Sequence, residues 1–333
     1  MITALPSLLL TGGIAAAVCF AVLLVLLRTG WADAIAIDIP NHRSLHVKPI
    51  PRVGGWGVVP AALLLIVIGA PVLRWIALGA LVLGAVSQID DRRGLSARSR
   101  FIAHIAVAGA AVAASVVHID AWLAAIAVIV VVWIVNLYNF MDGSNGLAGG
   151  MAVFGFATYA IGAAPSQPQL SLAGAAVAGA GLGFLILNFN PARVFLGDIG
   201  SVPLGFLAGA MGFWGWQHGA WPVWFPALAF APFFADATAT LLRRLARRER
   251  VWEAHREHYY QRLVQLGASH VRVALFYYSL MVGGSAIALI AMYLSPIVQW
   301  ALVIAWYLTL AAVGGRIDLR WNAFQKSRAA VPR

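Results

Sequence analysis

The chain has 333 residues, of which 62% are hydrophobic and only 11% charged, and its formal net charge is +11. A water-soluble domain carries roughly 25% charged residues, so this composition excludes a soluble globular fold. A single cysteine, Cys19, excludes an intrachain disulfide framework and a cysteine-based metal centre.

Apolar runs long enough to cross a bilayer recur along the chain. They predict spans at about 5–27, 54–70, 73–89, 101–117, 121–138, 147–163, 170–187, 201–216, 221–241, 272–293 and 296–314. The expected fold is an all-α polytopic membrane helix bundle of about eleven transmembrane helices, forming one domain over residues 1–333. No basic segment precedes the first apolar run, which argues for a retained helix over a cleaved signal peptide. Of the 23 Lys and Arg residues, 22 fall on the face carrying the loops at about 28–53, 90–100, 139–146, 188–200 and 242–271 and the tail 315–333; only Arg74 falls on the other. The positive-inside rule makes the basic face cytoplasmic, with the N-terminus outside and the C-terminus inside. All acids but Asp120 share that face or lie close to it, so any chemistry is expected there. The positive charge reads as topology, and no nucleic-acid partner is expected.

The first cytoplasmic loop runs Asp38-Ile-Pro-Asn-His-Arg-Ser-Leu-His46 and then Pro49-Ile-Pro-Arg-Val-Gly-Gly55. Arg43, His46, Lys48 and Arg52 are cations suited to phosphate on a turn-rich path, although a plain positive-inside loop has the same look. After the third span comes Gln88-Ile-Asp-Asp-Arg-Arg-Gly-Leu95. Its paired Asp90 and Asp91 can bind Mg²⁺ directly or through water, or one can act as a base; the bland alternative is an acidic loop start.

The segment Asn136-Leu-Tyr-Asn-Phe-Met-Asp-Gly-Ser-Asn-Gly-Leu147 spaces Asn136, Asn139, Asp142 and Asn145 three residues apart, which predicts a polar stripe at a helix end. Polar groups at such depth are costly and usually functional. Next, Asn188-Phe-Asn-Pro-Ala-Arg-Val-Phe-Leu-Gly-Asp-Ile-Gly-Ser201 sets Asp198 between two glycines just before an apolar helix. That context suits a metal-bound carboxylate beside a phosphate at a helix N-terminus, or merely a helix cap. In the long loop Arg243 to Arg272, the arginine run is read as a lipid-headgroup anchor. His255, His258 and Arg262, with Arg256, are read as a diphosphate clamp, against the alternative of a solvated amphipathic helix.

These five segments, in this order from about Asp38 to Leu263, resemble the polyprenyl-phosphate N-acetylhexosamine-1-phosphate transferase family, the WecA, WbpL and MraY type of glycosyltransferase family 4. The form His255-Arg-Glu-His-Tyr-Tyr-Gln-Arg262 is closer to the O-antigen-initiating WbpL branch than to the peptidoglycan branch. The resemblance implies a multi-pass enzyme of the bacterial inner membrane that moves a sugar-1-phosphate from a UDP-sugar to undecaprenyl phosphate, releasing UMP, with Mg²⁺ (or Mn²⁺) as cofactor. It implies Asp198 as chief metal ligand with Asp91 beside it, and Asp90 and Asp91 placing the acceptor phosphate or metal. Asn136, Asn139, Asp142 and Asn145 would bind nucleotide and sugar, and Arg43, His46, Arg52, His255, His258 and Arg262 the phosphates. The family usually reads Asp-Gly-x-Asp-Gly where this chain has Asp142-Gly-Ser-Asn145-Gly, so Asn145 keeps an acceptor and loses the charge. The sugar, an N-acetylhexosamine or a 6-deoxy derivative, and the oligomeric state, a homodimer being one option, are left open. The rival class is a membrane transporter with a cytoplasmic acidic site, for which Asp236 is the one acid deep enough to matter; no internal repeat supports it.

Overall fold

The computed structural model describes residues 5–39, 49–250 and 255–329. It is a membrane helix bundle: α1 (Leu5–Thr29), α2 (Trp31–Ile35), α3 (Gly54–Gly69), α4 (Arg74–Arg93), α5 (Ala97–Ser115), α6 (Ala121–Phe140), α7 (Leu147–Ala163), α8 (Pro168–Asn188), α9 (Asp198–Gln217), α10 (Phe225–Ala229), α11 (Ala231–Ala246), α12 (Tyr259–Gln265), α13 (His270–Ala291) and α14 (Pro296–Ala329). The only strands among the described residues, β1 (Ile37–Asp38) and β2 (Ile50–Pro51), form an antiparallel pair with Ile37 opposite Pro51 and Asp38 opposite Ile50. Among the described residues, six helices are long and apolar enough to cross a bilayer, α1, α4, α6, α8, α13 and α14, and α3 and α7 are shorter apolar helices.

Each of the eleven expected spans is helical, but the ninth is not one helix. It breaks at Phe230, whose φ of −114° and ψ of 19° leave the helical region, into α10 and α11. Pro232 explains the break: it has no N–H to continue the ladder of α10, yet fits the first turn of a new helix. The pair of short strands and α2 were not foreseen either, because two-residue strands leave no periodic trace in the sequence.

Small residues bring the backbones together. On α8, a methyl added to Gly179 would lie 2.0 Å from the Gly12 carbonyl oxygen of α1, and one on Gly183 would lie 2.3 Å from that of Ala16. Glycines four apart form the close-packing ridge by which membrane helices associate without a hydrophobic driving force. In α9 every residue from Ile199 to Gly215 is buried, so this helix is the central post of the bundle. By contrast Leu9, Ile129 and Ile297 are 68%, 67% and 84% exposed, the apolar outer surface expected of a protein bathed in lipid. The polar loops meet at one end: the 51–55 segment bonds to the 195–196 segment, Gly146 to Asn188, Ser144 to His270, and Tyr260 to Phe140.

Candidate active site

The floor of the site is a backbone-to-backbone joint between the start of α3 and the approach to α9. Gly54 and Gly55 donate their N–H groups to the carbonyls of Phe195 and Leu196 at 2.8 and 2.9 Å, and Phe195 donates to Pro51 at 2.8 Å. Gly197 has φ +71°, which turns the chain so that Asp198 falls in the first turn of α9. A carboxylate there is favoured by the dipole of the helix N-terminus. Asn139, at the end of α6, accepts from the Ser201 hydroxyl at 2.7 Å through Oδ1 and bonds to Asp198. The Ser201 bond fixes the amide, so its NH₂ group faces the carboxylate.

The two adjacent aspartates of α4 are engaged differently. Asp90 Oδ1 accepts the Leu95 N–H at 2.6 Å and Oδ2 accepts from Arg100 at 3.0 Å, so this residue ties the α4–α5 turn. Asp91 Oδ1 accepts from Arg52 Nη2 at 3.0 Å, and its charge opposes those of Asp198 and Asp90. Arg52 therefore sits among Asp91, Asp142 and Asp198, attracted by all three.

The third motif is split by the end of α6 at Phe140. Asn136 and Asn139 are helical, while Asp142 and Asn145 lie in the turn beyond, so the predicted four-residue stripe on one helix end is not formed. Asn136 donates to the Val132 carbonyl at 2.7 Å and lines an apolar groove of about 480 Å³ with Phe101, Ile105, Trp133, Phe140 and Leu242. Asp142 accepts the Gly197 N–H. Burial and then the neighbouring Asp198 charge push its pKa up to about 7, against the pull of that N–H and of Arg52. Asn145 Nδ2 lies 3.3 Å from Asn190 Oδ1. The turn is anchored by Gly146 N–H to Asn188 (2.8 Å), by the Tyr278 hydroxyl to the Gly146 carbonyl (2.7 Å), and by Ser144 to His270 (2.8 Å).

The 255–262 segment closes one side. The rings of His255 and His258 lie 4.8 Å apart, and His258 stacks on Phe140 at 6.2 Å. Burial, followed by His258 and Arg244, pushes the His255 pKa down to about 4, so its imidazole is neutral at pH 7. Asp236 is 3% exposed and holds the start of α12: it accepts the Tyr259 and Tyr260 N–H groups at 2.8 and 3.1 Å and the Tyr277 hydroxyl at 2.5 Å, with His258 Nδ1 at 3.5 Å. Arg262 is 4% exposed and turned toward α14, where it donates to Asp318 at 2.7 Å, and to Glu257 at 3.3 Å.

The structure thus brings Arg52, Asp90, Asp91, Asn139, Asp142 and Asp198 together, with Asn145 in the same turn and His255 and His258 beside it. Asn136 and Arg262 sit in other surroundings, and Arg43 and His46 lie outside the described residues. Sequence reasoning gave no site role to Ser201, Arg100 or Asn188. Ser201 carried a signal, being three residues past Asp198 on the same helical face. Among the described residues no group of three or more His, Cys, Asp or Glu is placed to hold a metal ion. Any cation here would take its remaining ligands from phosphate and water, which is the habit of Mg²⁺.

Residues 73–215 match the model of a family described as glycosyl transferase family 4. The chain is 29% identical over 317 residues to the "Probable undecaprenyl-phosphate N-acetylglucosaminyl 1-phosphate transferase" of Bacillus subtilis, covering 87% of this chain and 88% of that protein. It is 30% identical over 299 residues to the decaprenyl-phosphate N-acetylglucosaminephosphotransferase of Mycobacterium leprae, 73% of each chain. To the phospho-N-acetylmuramoyl-pentapeptide-transferase of a Synechococcus species it is 31% identical over 242 residues, 64% of this chain and 68% of the other.

Proposed function

Because the chain belongs to glycosyl transferase family 4, the polyprenyl-phosphate hexosamine-1-phosphate transferases, we propose that it transfers an N-acetylhexosamine-1-phosphate, or that of a 6-deoxy derivative, from a UDP-sugar to undecaprenyl phosphate. The observation that carries this reading is the convergence of Asp91, Asp142 and Asp198 on Arg52 at the N-terminus of α9. With Asp90 and Arg100 beside them, four carboxylates face two guanidiniums, a site short of positive charge that suits a divalent cation arriving with a diphosphate.

An oxygen of the acceptor phosphate attacks the β-phosphorus of the donor. The bond from that phosphorus to the bridging oxygen breaks, and UMP leaves with the oxygen. A phosphate monoester has a second pKa near 6, so the acceptor is already largely ionised and needs little help from a base. Asp198 and Asp91 would hold Mg²⁺, which would supply positive charge beside the diphosphate. Asp90 shapes the turn that presents Asp91. Asn139, Asp142 and Asn145 face nucleotide and sugar, with Asn136 at the edge of the apolar groove. Arg52, His255 and His258 face the phosphates, joined by Arg43 and His46 of the first loop. The charge asymmetry supports a cytoplasmic site and an outer N-terminus; the resemblance and the relatives make the inner membrane of a bacterium the proposed place, with the product entering O-antigen or another cell-envelope glycan. Asp236 is committed to the backbone of α12, which leaves the transporter reading without its residue.

The test is a donor panel. Purified protein with undecaprenyl phosphate and Mg²⁺ is offered UDP-GlcNAc, UDP-N-acetylfucosamine and UDP-N-acetylquinovosamine, and UMP release is read. Release from one of them, dependent on the lipid and abolished by EDTA, is expected. No release from any donor by monodisperse protein overturns the reading.

A further inference from the structure

The tail 315–333 contains one acid, Asp318, among five basic residues. It lies outside the family match and outside every motif of the site. Its carboxylate is nonetheless a hub. Oδ1 accepts from Arg262 of α12 at 2.7 Å and pairs with Arg243 of α11, and Oδ2 accepts from the Tyr259 hydroxyl of α12 at 3.0 Å.

Its neighbours on the same helical face join in. Four residues earlier, a methyl on Gly314 would lie 2.8 Å from the Tyr259 hydroxyl oxygen, so α14 approaches α12 closely here. Three residues later, the Trp321 ring faces the Arg262 guanidinium at 5.4 Å. Gly314, Asp318 and Trp321 occupy i, i+4 and i+7, a single stripe along α14. A helix of 34 residues is about 51 Å long at 1.5 Å per residue. That exceeds the roughly 30 Å of a hydrocarbon core; counted from Pro296, Gly314 falls at the edge of that length, and Asp318 and Trp321 lie beyond it.

The charges give the stripe its purpose. Arg243 and Arg262 oppose each other, and Arg262 is almost fully buried. Glu257 is the weaker counter-charge for Arg262, at 3.3 Å, and is also claimed by Arg247. Asp318 is the carboxylate that lets the two guanidiniums lie side by side. On its other flank α12 is held by Asp236, and from there the Tyr260 hydroxyl reaches the Phe140 carbonyl beside the Asp142 turn. α12 is therefore clamped between Asp236 of the bundle and Asp318 of the last helix.

We infer that Asp318 is a positioning residue for the transfer reaction: through Arg262 and Tyr259 it fixes α12, and with it His255 and His258, against the turn that carries Asp142. The kinetic half of this inference rests on the sugar-1-phosphate transferase reading; the clamp itself rests on geometry alone.

The experiment compares wild type, Asp318→Asn, Asp318→Glu and chains ending after Gly315 or after Phe324. Hydrogen exchange at residues 255–265 and kcat per monodisperse molecule are both read. Asp318→Asn is expected to speed exchange at 255–265 but not in α7, and to lower kcat about tenfold, a fraction of what a 1 Å displacement of reacting groups can cost. Asp318→Glu should recover most of both. The chain ending at Phe324 should behave as wild type, and the chain ending at Gly315 at least as badly as Asp318→Asn. Unchanged exchange in Asp318→Asn overturns the clamp; faster exchange with unchanged kcat overturns the positioning role. If the wild type itself releases no UMP from any UDP-sugar, the transferase reading falls and the exchange data alone judge the clamp. Should Asp318→Asn not fold, Tyr259→Phe removes the Oδ2 bond and the 3.1 Å bond that the hydroxyl accepts from Arg243, keeps the Asp318 carboxylate and its arginine pairs, and is read the same way, unchanged exchange again overturning the clamp.

Discussion

Replacing Gly55 by alanine tests whether the joint between α3 and α9 sets the geometry of the site. The new methyl would lie 2.4 Å from the Gly200 nitrogen and 2.6 Å from the Ile199 carbonyl carbon, where ordinary contact begins at 3.4 Å. Both neighbours are backbone in the first turn of α9, so no side chain can swing aside. The two segments must part by about 1 Å, which strains the 2.8 and 2.9 Å bonds from Gly54 and Gly55. Overpacking of this kind costs about 1–3 kcal/mol of stability. The larger effect falls on catalysis. Asp198 rides on the displaced turn and Arg52 on the displacing segment, and a misplacement of 1 Å can cost about 10²-fold in rate, or about 2.7 kcal/mol in the barrier. The assay is steady-state UMP release by purified Gly55→Ala, normalised to monodisperse protein. Gly109→Ala in α5 is the control, because nothing lies within 4 Å of its added methyl. If Gly55→Ala turns over within twofold of wild type, the joint does not fix the catalytic geometry and the argument fails.

Asp198→Asn is expected to lower kcat at least ~10²-fold while the protein still elutes as a folded species, since a charge beside the reacting phosphates is lost; near-normal turnover at saturating Mg²⁺ would remove Asp198 from the metal site. Asp142→Asn should stabilise the protein in EDTA at pH 8 and not at pH 4. With a folded pKa of about 7 and an unfolded value near 3.9, the folded state holds more protons between those limits, so wild-type stability falls as pH rises from about 4 to 7 and then levels off. The gain from the substitution is about 4 kcal/mol at pH 8, about three pKa units at about 1.36 kcal/mol each, and equal melting curves for the two proteins at that pH would contradict the assigned shift. Asn145→Asp removes the donor that faces Asn190 and sets an anion near the diphosphate. It should raise KM for the UDP-sugar about 10- to 10²-fold, in line with roughly 1.5–3 kcal/mol for a hydrogen bond to a charged group. A higher kcat at unchanged KM would instead show that the position wants charge.

Local chemistry determined a good deal on its own. Apolar runs of bilayer length specified eleven helical segments, because in lipid a spanning segment must satisfy its backbone within itself. The five polar segments between those runs marked the end of the bundle at which the site is built, and alternation of spans placed them there together. Asp198 was legible at the start of α9 because a glycine, an acid and an apolar run in sequence spell a helix N-terminus.

Tertiary structure decided the rest. Asp90 and Asp91 are neighbours in the chain, yet one ties a turn and the other meets Arg52, 39 residues away. Asn136 shares the spacing of Asn139, but the end of α6 at Phe140 leaves it beside an apolar groove. Arg262 has the look of a phosphate ligand and is instead committed to Asp318, 56 residues on. Asp318 had no local signal at all. Hydropathy and spacing act within a helix, whereas the direction of a polar side chain at a helix end is set by whichever charge another loop brings to it, and that partner exists only after the bundle has packed.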